Sequence, residues 1–169
     1  KKKDLNLENV SEETKKLIGI YSCKASFHLK EWKPIEIYKD YVEDPFDKEF
    51  YKCVVLISKE KYREAKGCVD NMNNIFIKEI NTFDDYRGSY NKLVKLQQIS
   101  ELSEIIRLES RFEEMDQNEV YAFMLGEDKL THVKNEYRNN MLRVWQDRLD
   151  CMEPNIRHYE EMIAIRSLY

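Results

Sequence analysis

Histidine and cysteine are the side chains of this 169-residue sequence that are best suited to bind a metal or act as a nucleophile. The three histidines, His28, His132 and His158, stand far apart and form no H-E-x-x-H motif. The cysteines are equally scattered and show no C-x-x-C spacing. We therefore predict no metal site, and we interpret the cysteines as buried thiols of a reducing compartment. They are Cys23, Cys53, Cys68 and Cys151.

The sequence also shows no residues that are well suited to acid–base catalysis or phosphate binding. The adjacent acidic pairs at 12–13, 84–85 and 113–114 could act as proton donors and acceptors, but in a chain with 32 acidic residues they are typical of solvated faces or helix N-termini. The four glycines form neither a G-x-x-x-x-G-K-[ST] nor a G-x-G-x-x-G loop, and no kinase catalytic-loop motif is present. We predict no catalytic and no cofactor-binding residue in this segment.

Composition excludes further classes of function. The net charge of -4 disfavours nucleic acid as a partner, and the Lys1–Lys3 run reads as part of a solvated tail over residues 1–10. No apolar run reaches the length of about 20 residues that a membrane helix requires, so we predict no membrane insertion. We expect a cytoplasmic location.

The elements that position these residues are predicted to be helices. Only four glycines and three prolines interrupt the chain, which disfavours a β-sandwich with its frequent turns. Charged residues at 36% and hydrophobic residues at 42% indicate a folded domain rather than a disordered chain. We predict an all-α fold.

The first helical pair follows from periodicity and a short connection. Ser11 is a suitable N-cap for a helix over 12–28, and a second helix is predicted over 33–42 with Pro34 in its first turn. The connection of residues 29–32 is short enough to force two antiparallel neighbours. The apolar stripe of the first helix comprises Leu17, Ile20, Tyr21, Ala25 and His28.

A second pair repeats the first. Asp44 followed by Pro45 predicts a helix that runs to residue 57, and the turn "SKEKY" leads to a helix over 63–80. In each turn a Lys-Glu pair precedes an aromatic residue, which fills the space between the two helices, and an apolar residue three positions later lets them approach. These residues are Trp32 with Ile35, and Tyr62 with Ala65.

The pattern extends to the end of the chain. A third pair is predicted from near Asp84, with "QISEL" as its turn and with Leu102 and Ile105 in the aromatic and apolar places. A fourth pair is predicted over 130–151 and 154–169, where Trp145 and Tyr159 are structural aromatics. The pairs cover 11–43, 44–81, 84–112 and 130–168, with an insert over 113–129 around Gly126.

Repeats of 30 and then 40 residues are typical of tetratricopeptide-like solenoids. We therefore predict a right-handed α-solenoid of about four tetratricopeptide-like helical hairpins. An ordinary helical bundle with uneven hairpins is the alternative architecture. The final "AIRSLY" lies within an apolar helical pattern, which favours a segment of a larger protein.

Four segments carry a resemblance to a known family. Residues 86–109 are similar to a Tyr-rich helix followed by L-x-E-L-E-E-V-I, which 99–106 echo, and residues 144–168 are similar to W-x-x-R-L…C…W-x-x-I-L-x-V-R-S-L. The matching positions in the second segment are Trp145, Arg148, Leu149, Tyr159, Ile165, Arg166, Ser167 and Leu168. With "HLKEWKPIEIY" and "FYKCVVLISKEKYREAKGCVD", the chain resembles over 11–168 the FAT domain of the TOR protein kinases, a branch of the PI3K-related kinases.

This resemblance implies a role. The FAT domain is the non-catalytic helical-repeat region that precedes the catalytic domain, so the chain is expected to clamp the kinase domain of a TOR-like serine/threonine kinase in nutrient and growth signalling. Expected partners are the kinase domain and neighbouring repeats of the same polypeptide, and subunits or regulators of TOR complexes. The resemblance also allows recruitment to a membrane surface as part of a complex.

The chain departs from the family pattern at two places. It carries extra residues around 109–134, and Pro154 stands where the family has a basic residue that faces an inositol-phosphate pocket. Arg157 could substitute for that basic residue. For this segment we predict no cofactor, with Arg157 as the one residue that could contact an inositol phosphate.

Three functional hypotheses make different predictions. A kinase scaffold segment should show an uncapped apolar surface at its C-terminal pair. A free-standing tetratricopeptide-like adaptor should have polar caps at both ends and a basic or Asn-rich peptide groove. A helical enzyme would gather its catalytic residues only in the folded chain.

Overall fold

A computed structural model describes residues 10–80 and 86–169, and within these ranges the ordered elements are all helical. The predicted all-α fold of stacked helical pairs is confirmed. The helices are α1 Glu12–His28, α2 Trp32–Tyr38, a 3-10 turn Lys39–Tyr41, α3 Pro45–Ile57, α4 Tyr62–Glu79, α5 Tyr86–Gln117, α6 Glu119–Leu125, α7 Glu127–Asp150 and α8 Ile156–Arg166.

Short polar side chains begin three of the helices. Ser11 Oγ accepts a hydrogen bond from the Thr14 amide at 3.3 Å, and Asp44 Oδ1 accepts one from the Asp47 amide at 2.8 Å. At the start of α8, Asn155 Oδ1 accepts from the Arg157 amide at 3.1 Å. These bonds satisfy amide groups that have no partner within the helix. The N-caps predicted at Ser11 and Asp44 are confirmed.

The first two turns repeat in backbone geometry, thirty residues apart. Lys30 and Glu60 both have φ of 59°, and both follow the end of a helix. The amides of Glu31 and Lys61 donate to carbonyls five residues earlier, at 2.8 and 2.9 Å. This pattern closes a helix and redirects the chain at the same point. The repeat predicted from "LKEW" and "SKEKY" is therefore present in the structure.

The turn predicted at "QISEL" is wrong, because α5 runs without a break from Tyr86 to Gln117. The buried residues Val94, Ile99, Leu102 and Ile105 recur at helical spacing through this stretch. No glycine or proline interrupts residues 98–102. The predicted third hairpin is therefore a single helix, and its predicted start near Asp84 lies outside the described residues, as do residues 1–9 of the tail.

The insert predicted over 113–129 is also helical. It contains the last turns of α5, the short α6, and the start of α7. Gly126 separates α6 from α7 with φ of 72° and ψ of 156°. Glycine adopts this backbone conformation readily, whereas residues with a Cβ rarely do. The predicted insert thus turns at Gly126 in a sharp corner between two helices.

The first four helices pack in sequence, and the last helix closes back on them. α3 packs against α4, α4 against α5, and α8 against both α5 and α1. Gly19 lets α1 approach the 3-10 turn closely, since a Cβ there would lie 2.7 Å from Tyr41 Cβ. Within the described ranges, no helix is long and apolar enough to cross a bilayer.

The buried face of α1 differs from the predicted stripe. Gly19, Cys23 and Phe27 are buried, while Leu17 and Tyr21 are exposed. The observed buried face is rotated around the helix axis from the predicted one. Gly19 faces inward because the close approach of the 3-10 turn leaves no room for a side chain. An apolar surface is consequently left open on α1. Also outside the core are Ile20 and Ala25 of the predicted stripe, while His28 is half-buried.

Candidate functional site

A buried carboxylate of α5 is bonded to α8. Glu101 is 0% exposed. Arg166 donates two hydrogen bonds to its carboxylate, from Nε to Oε2 at 3.0 Å and from Nη2 to Oε1 at 2.8 Å. Gln97 Nε2 also donates to Oε1, at 3.2 Å. A buried carboxylate without partners would be very costly, so this pairing is required for α5 to remain packed.

A second carboxylate, one turn further along α5, is bonded to α7. Glu104 accepts from Arg148 at both oxygens, at 2.7 and 2.9 Å. The indole Nε1 of Trp145 donates to Glu104 Oε2 at 2.7 Å. Trp145 is almost fully buried, and its only polar side-chain atom is satisfied by this bond.

The two ion pairs join into one network, which we name the α5 clasp: Glu101, Glu104, Trp145, Arg148 and Arg166. Arg166 Nη2 donates to the Trp145 carbonyl at 2.7 Å, and its guanidinium lies 5.4 Å from the centre of the Trp145 ring. α5, α7 and α8 are therefore fixed to one another at a single place.

The electrostatics of the Glu104–Arg148 pair favour the charged forms. Burial by itself would raise the pKa of Glu104, but the hydrogen bonds from Arg148 and Trp145 outweigh it and hold that pKa below its ordinary value. The hydrogen bonds that Arg148 donates to Glu104 raise the pKa of Arg148. Both oxygens of each carboxylate accept hydrogen bonds from a guanidinium, so the arrangement is suited to hold helices together rather than to move protons.

The predicted turn residues of the first two pairs lie where the repeat requires them. Trp32 and Tyr62 are the first residues of α2 and α4, and both are half-buried against the core. Ile35 and Ala65, three positions later, are fully buried. The Trp32 ring lies 6.5 Å from that of Phe27, between α1 and α2.

The other four predicted turn residues are buried or half-buried, but they do not mark equivalent turns. Leu102 and Ile105 face the core from the middle of α5, and Trp145 belongs to the α5 clasp. Tyr159 lies on α8, and its hydroxyl donates to the Met152 carbonyl at 3.3 Å across the turn that precedes it.

Sequence reasoning missed Glu101 and Glu104 as site residues. They stand three apart, and therefore on one helical face, within the stretch that carries the family resemblance. Their partners Arg148 and Arg166 were also among the matching positions. The signal was thus present in the motifs, but the pairing across helices required the fold.

Arg157 lies at the edge of a groove of about 440 Å³ between α1, α3, α5 and α8. The groove also brings together the basic residues Lys24 and Lys95 and the acidic residues Asp47 and Glu161. Burial, followed by the charge of Asp44, raises the pKa of Asp47. Contact of Arg157 with an inositol phosphate stays a prediction.

Three of the four cysteines are buried as predicted, and Cys151 is exposed. Burial raises the pKa of the Cys23 thiol to about 12 and that of Cys68 to about 11. A thiol with a raised pKa is a poor nucleophile near neutral pH. Among the described residues, no group of three or more His, Cys, Asp or Glu side chains is placed to hold a metal ion.

Comparison with known proteins agrees with the motifs. A family model described as the FAT domain matches residues 21–169. The chain is similar to the serine/threonine-protein kinase TOR2 of Saccharomyces cerevisiae, with 24% identity over 92% of the chain, and to tor1 of Schizosaccharomyces pombe, with 24% identity over 93%. It covers only 6% of the length of each. No solved structure matches at a significant level.

Proposed function

Since the chain belongs to the FAT domain family, we propose that it is a scaffold segment that supports the kinase domain of a TOR-like serine/threonine kinase. The FAT domain is the non-catalytic helical region of such kinases, as the resemblance implied. The kinase activity would reside elsewhere in the same polypeptide, and the task of this segment would be mechanical.

The observation that carries this proposal is the α5 clasp. A scaffold must transmit displacement without bending, and a long helix bonded to two further helices by partly buried ion pairs would do so. The residues of the clasp coincide with the motifs that are shared with the family. The shared positions thus serve helix-to-helix fixation, as a support would require.

Exposed apolar residues favour a scaffold segment over a free-standing adaptor. On α1, Leu17 and Tyr21 are 53% and 68% exposed, and on α8, Ile156 and Ile163 are 72% and 54% exposed. A self-contained adaptor would have polar caps at both ends. These faces instead suit packing against neighbouring repeats of the same polypeptide, and the face on α8 agrees with the apolar surface expected of a scaffold segment.

The partners follow from this arrangement as proposals. Neighbouring repeats would cover the exposed faces of α1 and α8, the kinase domain would lie against the solenoid, and complex subunits or regulators of growth signalling would bind its outer surface. The whole assembly would act in the cytoplasm, with recruitment to membrane surfaces through other subunits.

The test is made in the full-length polypeptide. Glu101→Gln should loosen the α5 clasp and lower protein-kinase activity at equal protein concentration, whereas Glu12→Gln, on an exposed ion pair, should not. Limited proteolysis reports whether the segment has loosened. Unchanged kinase activity in a variant whose segment has become protease-sensitive would exclude the supporting role.

A further inference from the structure

The insert forms an arm that packs separately from the main core. The arm consists of residues 109–137: the end of α5, α6, and the first half of α7. Phe112 and Met115 are buried within it but do not belong to the main core cluster. The ammonium of Lys134 lies 5.5 Å from the centre of the Phe112 ring, and it forms an ion pair with Asp116.

The outermost helix of the arm presents an apolar face to solvent. On α6, Val120, Tyr121, Phe123 and Met124 lie on one side of the helix and are 60%, 45%, 92% and 74% exposed. We name these four residues the arm tip. Four large apolar side chains, exposed together on a helix of seven residues, are typical of a binding surface.

The negative charge of the residues near the arm tip indicates which kind of partner could bind there. From 113 to 129 the sequence has six acidic residues and one basic residue. Glu113, Glu114, Glu127 and Asp128 are exposed beside the arm tip in sequence. This surface would be repelled by anionic lipid and by a second copy of itself.

We propose that the arm tip binds a basic amphipathic helix of a partner protein, one with large apolar side chains on one face and lysine or arginine on the other. The apolar side chains would cover Phe123 and Met124, and the basic ones would approach the exposed carboxylates that flank the arm tip in the sequence. This interaction is independent of the supporting role, because the arm tip lies within the residues by which the chain departs from the family pattern.

The probe is a labelled peptide of about 14 leucine and lysine residues with leucine at helical spacing. Its binding to the full-length polypeptide is measured by fluorescence anisotropy, beside a counterpart with glutamate in place of lysine. We expect the basic peptide to bind, the acidic one not to bind, and added salt to weaken binding.

Two paired variants locate the binding. Phe123→Ser with Met124→Ser should weaken binding at least about tenfold, whereas Leu29→Ser, which is exposed on a turn, should not. Glu127→Lys with Asp128→Lys should also weaken it, in contrast to the exposed Glu160→Lys on α8. All substituted residues are exposed, so the fold should be retained, as circular dichroism will show.

Four outcomes would overturn the proposal. Equal binding by both members of either variant pair would place the peptide elsewhere, and equal binding of the acidic peptide would exclude charge selection. Self-association of the chain that is lost with Phe123→Ser and Met124→Ser would identify a second copy as the occupant. Binding to phosphatidylserine vesicles that depends on the same residues would identify a lipid surface.

Discussion

Glu101 shows how one side chain can decide whether three helices hold together. Its carboxylate is fully buried, its charge is compensated by Arg166 on α8, and it accepts a further hydrogen bond from Gln97 on its own helix. A buried pair of this kind contributes little beyond an apolar pair of the same shape. Its removal on one side only is nevertheless costly, because the remaining charge loses its counter-charge in a largely desolvated place.

The first prediction concerns that asymmetry. Glu101→Gln should lower the free energy of unfolding by about 3–5 kcal/mol, since Arg166, whose side chain is only 15% exposed, would lose its counter-charge. The double variant Glu101→Leu with Arg166→Met should recover most of this loss. Urea unfolding followed by circular dichroism measures both. A single variant as stable as the original chain would show that the α5 clasp does not hold the fold.

The second prediction concerns pH. Because the pKa of Glu104 is lower in the folded state than its ordinary value of 4.5, the stability that its ionised form provides is present above that value. It is lost as the pH falls through the lower, folded-state pKa. The stability difference between the original chain and Glu104→Gln should therefore be largest near neutral pH and should shrink below about 4.5.

The measurement for Glu104 is urea unfolding of both proteins from neutral pH to about pH 3. Glu13→Gln is the control, because Glu13 is exposed on α1. A difference that stays constant with pH would mean that Glu104 has the same pKa in the folded and unfolded chain.

At the scale of elements, the sequence predicts those helix starts and turns that depend only on neighbouring residues. α1 begins at Ser11, α3 begins after Asp44, and the turns before Trp32 and Tyr62 lie where predicted, because caps and turn residues act on their own neighbours. The turn at 98–102 was misplaced because a polar stretch resembled the earlier turns. Its glutamate is in fact neutralised by Arg166, sixty-five residues away.

The third prediction tests the continuity of α5. Ser100→Pro should destabilise the chain by about 3 kcal/mol or more, because proline in a helix interior removes a hydrogen bond and collides with the preceding turn. Ser100→Ala should have little effect. Urea unfolding measures both variants. Tolerance of Ser100→Pro would indicate the hairpin turn that was predicted there.

The fourth prediction compares two glycines. Gly126 has a positive φ, and Gly67 lies within α4; a Cβ at either would meet no atom within 4 Å. Gly126→Ala should therefore cost about 1–3 kcal/mol through the backbone alone. Gly67→Ala should add about 0.5–1 kcal/mol of stability, because alanine is the better helix former. Equal effects in thermal unfolding would contradict the corner between α6 and α7.

At the scale of the whole molecule, the fold class and the family were predictable, while the site was not. Repeat spacing and motif order can be recognised in the linear sequence alone, and both were predicted correctly for the first two pairs. The α5 clasp needs contacts between residues more than forty apart, such as Glu104 with Trp145. The exposed faces of α1 and α8 also emerge only when the helices are assembled.

These exposed faces lead to the most direct test of the account, which holds that the chain is one segment of a longer solenoid. We would compare the 169-residue chain with a version extended by about two further helical pairs of its native polypeptide. Both would carry Phe123→Ser and Met124→Ser, so that the arm tip does not contribute, and both would be studied by sedimentation velocity and urea unfolding. The account predicts that the short chain self-associates or is marginally stable, and that extension makes it monomeric and more stable. A short chain that is already monomeric, and whose stability is unchanged by extension, would contradict it and would favour a self-contained adaptor.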